Sequence, residues 1–249
     1  SGTPRLNFFR KWLWKFSRKN IFFITVPTKE TLLNIKKLNI FDPSKIFFLP
    51  DPVFLKKKII LKSKKKNNQI PYILNIGRLT KQKNHQILIK SFQKISKKYN
   101  NINLLIIGEG EKFKELSNLS KKLNLEKKIK FLGHVDNPYP YIKSSLCVMI
   151  TSLWEDPGFV MIEASALKKT VICSNCPSGP KEFFDNGKNG FLFKNNNGQS
   201  LINTFDKFMT SNPKKLKSNI LKNYNKSQEY SDISHAKNLY KLLKFNEKR

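Results

Sequence analysis

Short apolar runs alternate with amphipathic segments along most of this 249-residue chain. Six runs rich in β-branched residues predict strands at 72–76, 102–108, 128–133, 145–150, 169–174 and 190–194. Residues 85–99 and 112–124 instead place apolar residues at three-and-four spacing, which predicts helices. Because strand and helix alternate, the pattern predicts βαβ units in an α/β, doubly wound domain with a parallel sheet.

The segments that follow these predicted strands carry most of the polar chemistry. They read GRLTKQKN, GEGE, GHVDN, TSLWEDPG and SNCPSG. In a doubly wound sheet such segments emerge together at the carboxyl ends of the strands, where ligands bind. We therefore expect the functional site at that edge of the sheet.

The pattern divides the chain into four parts. Residues 71–212 form the predicted α/β domain, and 213–249 read as helices that cross back toward the N-terminal part. The lysine- and asparagine-rich segment 56–70 is predicted to be a linker, and 1–55 the remnant of another domain. Because the chain begins at Ser1 without a methionine and enters patterned sequence directly, we expect an upstream portion to be missing.

The first 50 residues contain a basic, aromatic stretch, LNFFRKWLWKFSRKN. It could be an interfacial membrane helix, since tryptophan and phenylalanine mix with cations. The alternative, which we favour because the apolar residues do not fall on one clean face, is an ordinary helix with its apolar side docked. Further on, Thr28 is predicted to cap a helix that contains Thr31 and Leu32.

A formal charge of +31 first suggests nucleic acid or an anionic membrane as partner. Only five of the 48 basic residues are arginines, however, whereas nucleic-acid readers favour the planar guanidinium. We therefore expect no nucleic-acid partner and keep peripheral membrane association open.

No apolar run approaches the roughly 20 residues that span a bilayer, and no secretion signal is evident. A cytoplasmic protein is expected, with Cys173 and Cys176 as buried or partly buried thiols.

The stretch SLWEDPGFVMIEASAL, residues 152–167, is the most informative chemically. Pro157 and Gly158 end a loop, and a helix is predicted to begin after them, so that the free amides of Gly158, Phe159 and Val160 form an anion site. Glu155 precedes this site and Glu163 follows it by about one turn. Because carboxylates only accept hydrogen bonds, they suit a ligand that combines phosphate with many hydroxyl donors, such as a nucleotide sugar.

A second element, GRLTKQKN, follows the first predicted strand. Gly77 ends the strand, and Arg78 and Lys83 are spaced so that both could reach one group. Two cations there could neutralise a diphosphate. The two elements lie on different loops at the same edge of one predicted sheet, and their combination is more specific than either alone.

Together with LLIIGEGE, KFLGHV and KEFFDNGKNGFLF, these elements resemble the family 4 glycosyltransferases from about Tyr72 to Phe193. Those are retaining enzymes of GT-B architecture, with two Rossmann-like domains that face each other across a cleft. The resemblance implies that 71–212 is the donor-binding domain and that residues 1–55 are the tail of an acceptor-binding domain. It also implies that no metal or other cofactor is needed.

The resemblance also implies individual roles. Arg78 and Lys83 would hold the donor diphosphate with the amides of Phe159 and Val160, and Glu163 would accept hydrogen bonds from the ribose. Glu155 would contact the donor sugar near the reacting carbon and is the predicted catalytic residue. The remaining implied donor-site residues are Gly77, Gly108, Gly110, Gly133, Val135 and Gly158.

Two positions depart from the family pattern: Pro157 replaces the usual aromatic residue, and Asn84 replaces the usual glycine. Ser178, Lys181 and Glu182 could approach the sugar or simply form the first turn of a helix. His85 and His134 are interpreted as polar cap and loop residues.

The sequence therefore predicts transfer of a sugar, with retention, from a nucleotide-diphosphate sugar to a hydroxyl of a saccharide or lipid-linked acceptor in polysaccharide synthesis. Two alternatives remain open at this point: a related nucleotide-sugar epimerase, and a non-enzymatic basic module that binds nucleic acid or anionic membrane.

Overall fold

The computed structural model describes residues 8–64 and 70–247. A two-stranded parallel sheet of Ile24–Val26 (β1) and Ile46–Phe48 (β2) precedes a six-stranded parallel sheet. The six strands are Tyr72–Ile76 (β3), Asn103–Ile107 (β4), Ile129–Phe131 (β5), Cys147–Ile150 (β6), Val171–Ser174 (β7) and Phe191–Phe193 (β8). Their order, β5-β4-β3-β6-β7-β8, confirms the predicted doubly wound arrangement and all six predicted strands.

Helices connect these strands and continue to the C-terminus. They are α1 (Phe8–Ser17), α2 (Lys29–Lys37), α3 (Lys56–Leu61), α4 (His85–Lys98), α5 (Phe113–Lys122), α6 (Tyr139–Ser144), α7 (Phe159–Ala166), α8 (Pro180–Phe183), α9 (Gly198–Met209), α10 (Pro213–Ser227) and α11 (Asp232–Glu247). The helices predicted at 85–99 and 112–124 are confirmed as α4 and α5, which are one and three residues shorter than predicted.

The large sheet is covered on both faces. Ile73 faces a core cluster that includes Phe92 from α4 and Phe205 from α9. Its neighbour Leu74 faces a second cluster that includes Ile162 from α7. Because successive side chains of a strand point to opposite faces, a strand between two helical layers must be apolar throughout, as YILNI nearly is.

The N-terminal part packs on the large sheet's loops and on the C-terminal helices. Thr28 caps α2 as predicted: its hydroxyl accepts a hydrogen bond from the Thr31 amide at 3.1 Å. Helix α3 begins the segment 56–70, and its Ile59 is buried in the second core cluster. At the start of α11, Asp232 accepts a hydrogen bond from the Lys56 amide at 3.0 Å. The domain boundaries themselves stay predictions.

Helix α1 differs from the sequence-based expectation. Phe9, Trp12 and Phe16 are exposed on one side, where neighbouring rings stack at 6.2 and 5.9 Å between centroids. Trp14 points the other way and packs against Phe41. The helix therefore has a clean aromatic face, and in the described chain that face is exposed and not docked. The sequence did not indicate this face, because Trp14 lies between these residues in sequence but on the opposite side of the helix and interrupts the spacing of the aromatic residues.

Cys173 and Cys176 are buried free thiols, as predicted. Burial raises the pKa of Cys176 to about 11, so it stays protonated at neutral pH. Among the described residues, no group of three or more His, Cys, Asp and Glu side chains that could hold a metal includes this pair.

Close backbone contacts bring the loops at the carboxyl edge of the sheet together. The Gly77 amide donates to Ile107 O at 2.9 Å, and the Gly108 amide donates to Gly133 O at 2.8 Å. Gly108 has φ +136°, and a Cβ there would lie 2.1 Å from the carbonyl oxygen of Gly77. Only glycine permits this approach, which keeps three loops in one layer.

We predict that Gly108→Ala lowers the free energy of unfolding by about 3 kcal/mol, because it adds both a strained φ and a backbone collision. Gly187→Ala is the matched control: its φ is +89°, but the nearest atom would be 3.8 Å away. We expect the control to cost roughly 1–2 kcal/mol. Urea unfolding of the three proteins measures both values, and equal losses would contradict the collision.

Candidate functional site

The candidate site lies where the strand order of the large sheet reverses. Strand β3 is flanked by β4 on one side and β6 on the other, and the chain leaves β3 and β6 toward the same edge. Such a switch point opens a crevice between the two following loops, and ligands of doubly wound domains bind there. The loops in question are the two singled out from the sequence, 77–84 and 151–158.

A cavity of about 410 Å³ opens between these loops. It is lined by Gly77, Arg78, Gln82, Lys83, Trp154, Glu155, Asp156, Gly158, Phe159 and Val160. The structure thus brings together seven of the twelve residues assigned to the site from the sequence. Gln82, Trp154 and Asp156 were missed, because none carries a pattern that separates it from an ordinary loop residue.

Lys83 and Glu155 form the central contact of the cavity. Lys83 Nζ lies 2.6 Å from Glu155 Oε1, and the Ser152 hydroxyl donates to the same oxygen at 2.5 Å. Glu155 is only 7% exposed. A buried carboxylate needs such partners, because its desolvation is otherwise uncompensated. Arg78 lies on the same loop and is exposed.

Three further hydrogen bonds join the turn at Lys83 to the loop that carries Glu155. The Leu153 amide donates to Gln82 O at 2.8 Å, and Gln82 Nε2 donates to Trp154 O at 2.9 Å. The Thr151 hydroxyl donates to Lys83 O at 2.9 Å. These three bonds join the two loops independently of the ion pair, so the geometry of the pair does not depend on the Lys83 and Glu155 side chains alone.

The two departures from the family pattern are compatible with this geometry. Asn84 adopts φ 49°, ψ 47°, the left-handed conformation that glycine adopts most easily and asparagine tolerates. Pro157 precedes Gly158, the N-cap of α7, which has φ 98°. The amides of Phe159 and Val160 come before Met161, the first amide bonded back to Gly158. They form the free N-terminal end of α7.

Glu163 lies on α7, outside the lining of the cavity. The Tyr139 hydroxyl donates to its Oε1 at 3.3 Å. Burial raises the pKa of Glu163 to about 7, and this hydrogen bond only partly opposes the effect. Burial also raises the pKa of Tyr139 to about 12, with the Glu163 charge adding to it. Tyr139 was missed from the sequence because it lies 24 residues away on another helix.

The remaining predicted site residues lie around the cavity. Gly108 and Gly110 lie in the next loop, where the Leu79 amide donates to Glu109 O at 2.8 Å. Gly133 follows β5, and Val135 packs partly buried against the second core cluster. These four support or adjoin the lining and are not part of it.

Ser178 and Glu182 do not line the cavity; both bond to the first turn of α2. Lys181 is exposed. His134 is an exposed loop residue, as expected, and its Nε2 lies 3.1 Å from Asp136 Oδ1. His85 is the first residue of α4 and is buried, and burial together with the Lys83 charge lowers its pKa to about 4. It is therefore neutral at physiological pH.

A larger cavity, of about 930 Å³, lies beside the edge strand β8 and helices α9 and α10. None of the residues assigned to the site lines it, and we place the site at the smaller cavity, where cations, carboxylates and a helix N-terminus converge. Among the residues that the structure describes, no three His, Cys, Asp or Glu side chains gather as a metal site would require. That no metal takes part stays a prediction.

A parallel sheet with cations and a free helix N-terminus at its switch point is typical of domains that bind nucleotide phosphates. Residues 56–228 match the family profile described as "Glycosyl transferases group 1". The match covers more than half of the chain, which therefore belongs to this family of glycosyltransferases.

Curated relatives carry the same designation. The chain is 43% identical over 109 residues to an uncharacterized glycosyltransferase of Methanocaldococcus jannaschii, covering 44% of this chain and 27% of that protein. It is 32% identical over 172 residues to the N-acetylgalactosamine-N,N'-diacetylbacillosaminyl-diphospho-undecaprenol 4-alpha-N-acetylgalactosaminyltransferase of Campylobacter jejuni, covering 69% of this chain and 46% of that protein. The chain thus spans less than half the length of these relatives.

Solved structures agree on the fold. A glycosyltransferase from Rickettsia africae superposes with a TM-score of 0.84 at 18% identity, covering all of this chain and 69% of that one. HepE from Anabaena, in complex with UDP, superposes with a TM-score of 0.82 at 17% identity, covering 96% and 68%. These likenesses confirm the predicted GT-B glycosyltransferase fold.

The raised pKa of Glu163 predicts a pH-dependent stability. A carboxyl whose pKa is about 7 when folded, against 4.5 ordinarily, favours the folded state below pH 4.5, and this advantage is lost as the pH rises through 7. Glu163→Gln removes the titration and keeps an acceptor for Tyr139. The free energy of unfolding of this variant, minus that of the unaltered protein, should be about 2 kcal/mol larger at pH 8 than at pH 5, allowing for partial exposure.

Urea unfolding at both pH values measures this gain, with the exposed Glu126→Gln as the matched control. A stability difference that is the same at both pH values would show that Glu163 titrates normally.

Proposed function

We propose that this chain is the donor-binding portion of a retaining glycosyltransferase, which transfers a sugar from a nucleotide-diphosphate sugar to a hydroxyl of a saccharide or lipid-linked glycan. The observation that carries the proposal is the cavity between loops 77–84 and 151–158, where Lys83, Arg78 and the N-terminus of α7 meet a buried Glu155. Family membership supports glycosyl transfer; donor class and stereochemistry are the proposed parts.

The diphosphate fits the positive side of this cavity. Arg78 provides a planar fork for phosphate oxygens, and Lys83 provides a compact charge beside it. The amides of Phe159 and Val160 add donors at the positive end of α7. Transfer breaks the bond between the anomeric carbon and the diphosphate oxygen, which leaves with the bonding electrons. Donors already in place stabilise that growing charge most effectively.

Glu155 is proposed to act on the sugar. Its Oε1 is held by Lys83 and Ser152, so the carboxylate is fixed in one orientation. A fixed carboxylate can accept hydrogen bonds from sugar hydroxyls and stabilise positive charge that develops at the anomeric carbon. The acceptor hydroxyl oxygen then bonds to that carbon and gives up its proton to the departing diphosphate. Lys83 contacts Glu155 and lines the same cavity. It would therefore bind the diphosphate of the donor and at the same time hold the carboxylate that contacts the sugar.

Glu163 is proposed to bind the ribose. With a pKa of about 7, it is partly ionised at neutral pH, and hydrogen bonds from ribose hydroxyls would favour the carboxylate form. The Tyr139 hydroxyl already orients one of its oxygens. Gly133 and Val135, on the loop after β5, are proposed to lie beside the base.

The names of relatives support the acceptor class. The Campylobacter jejuni relative is named for a diphospho-undecaprenol acceptor, and so is a galactosyltransferase of Escherichia coli that is 29% identical over 235 residues. A similar acceptor, and a role in polysaccharide synthesis at the cytoplasmic face of a membrane, are therefore part of the proposal.

Peripheral membrane association is supported by helix α1. Its aromatic face, Phe9, Trp12 and Phe16, is exposed, Phe16 by 78%. The same helix and the turn after it carry Arg10, Lys11, Lys15, Arg18 and Lys19 and no acidic residue. Aromatic rings combined with cations match an anionic lipid surface, which is therefore the occupant we propose. No helix of the described chain is long and apolar enough to cross a bilayer.

Calorimetric titration of the chain with UDP, GDP and ADP tests the donor site. One diphosphate should bind selectively, and Arg78→Ala and Glu163→Ala should each weaken it by about tenfold or more, since each removes a charged or strongly bonded contact. Lys81→Ala is the matched control, because Lys81 lies on the same turn but lines a different cavity. It should leave binding nearly unchanged.

Two outcomes would contradict the donor site. The first is that no diphosphate binds and the chain instead captures RNA with an affinity that falls steeply with salt. The second is that all three variants weaken binding equally, which would indicate general charge attraction. Release of an altered sugar nucleotide without any acceptor would favour the epimerase.

Co-sedimentation with phosphatidylglycerol-containing vesicles tests the lipid surface. Replacing Trp12 and Phe16 together by alanine should reduce binding by at least about tenfold, because two apolar rings are no longer inserted. Tyr240→Ala, which removes an exposed ring from α11, is the matched control. If the unaltered chain does not bind these vesicles, the aromatic face has another occupant, such as a further part of a longer chain.

A further inference from the structure

A reciprocal pair of hydrogen bonds joins α2 to the turn after β7. The Lys29 amide, at the start of α2, donates to Glu182 Oε2 at 2.9 Å. In return, the Ser178 amide donates to Glu30 Oε2 at 3.0 Å. Each carboxylate thus accepts from the backbone of the other element, although the partners are about 150 residues apart in sequence.

The exchange suits the chemistry of both elements. The first amides of a helix have no partner within it, and Glu182 supplies an acceptor for one of them. Thr28 caps the Thr31 amide, so the side chains of two different elements complete this helix end. Ser178 has a positive φ of 59° and is buried, so its amide also requires a partner from outside its own turn.

The same turn holds the loop that carries Glu155. The Glu155 amide donates to Pro177 O at 3.2 Å. Gly179 packs so closely that a Cβ there would lie 2.2 Å from Pro157 O. In addition, the Thr31 hydroxyl lies 3.4 Å from Asp156 Oδ1. Helix α2, the turn 177–179 and the loop 152–158 therefore form one bonded unit.

We propose that Glu30 and Glu182 are positioning residues, which fix Glu155 by holding the turn 177–179 between α2 and the loop 152–158. The inference rests on the proposed function, in which Glu155 contacts the donor sugar. It goes beyond that function because the first turn of α2, which lies outside the six-stranded sheet, would help to fix the position of Glu155 and therefore the shape of the sugar subsite. Arg78, which is proposed to bind the diphosphate, lies on the loop after β3 and makes none of the contacts that join α2, the turn 177–179 and the loop 152–158.

The test compares affinities for a nucleoside diphosphate and its sugar form, in the pairs UDP and UDP-glucose, GDP and GDP-mannose, and ADP and ADP-glucose. The ratio of the two dissociation constants isolates what the sugar adds. We expect Glu30→Ala and Glu182→Ala to reduce that contribution at least about fivefold while diphosphate binding changes less than about twofold. Glu126→Ala, an exposed acid elsewhere, should change neither.

Two further variants separate positioning from loss of folding. Glu30→Gln keeps an oxygen that can accept from the Ser178 amide and should restore most of the sugar contribution. In a double-mutant cycle, Glu155→Ala should abolish that contribution, and adding Glu30→Ala should then have no further effect. If Glu30→Ala lowers the sugar contribution by the same factor with and without Glu155→Ala, Glu30 does not act through Glu155.

Cys176 gives a readout that needs no ligand. It adjoins Pro177, is buried, and should react faster with a thiol reagent in Glu30→Ala, while the buried Cys147 should not.

If no diphosphate binds the unaltered chain, the proposed function is wrong and this inference is wrong with it. If the pairs bind but Glu30→Ala leaves the sugar contribution and Cys176 reactivity unchanged, only the positioning inference is overturned.

Discussion

The ion pair between Lys83 and Glu155 is the interaction on which the rest of the site depends. It joins the loop after β3 to the loop after β6 in a largely buried position, with Ser152 as a third partner. Removing one member would leave the other charged and poorly solvated, which is far more costly than losing a surface pair. Both loops must therefore keep their conformation for the pair to persist.

That requirement explains several features that are otherwise unrelated. Asn84 adopts a left-handed conformation, so that the chain can turn from Lys83 directly into α4. Gly108 and Gly110 permit the neighbouring loop to touch the backbone of Gly77 and Leu79. On the other side, Gly179 approaches Pro157. The contacts converge on one layer above the sheet, where a cation and a carboxylate are held ready before any ligand binds.

Much of this arrangement could be predicted from the sequence. The six strands were predictable because a strand buried on both faces must be apolar, and the loops because glycine and charge follow each run. The contacts of Glu163 with Tyr139, and of Glu30 with Ser178, could not be, because each joins elements whose spacing no local pattern specifies. The exposed aromatic face of α1 was also misjudged, since exposure depends on what packs against a helix and not on its own periodicity.

The central claim is that the cavity between loops 77–84 and 151–158 holds the diphosphate of a nucleotide sugar. A crystal structure of the chain grown with UDP tests this most directly. The account predicts diphosphate oxygens within hydrogen-bond distance of Arg78, Lys83 and the amides of Phe159 and Val160, with the ribose against Glu163. UDP bound instead in the large cavity beside β8, with the Lys83 and Glu155 pair untouched, would contradict it.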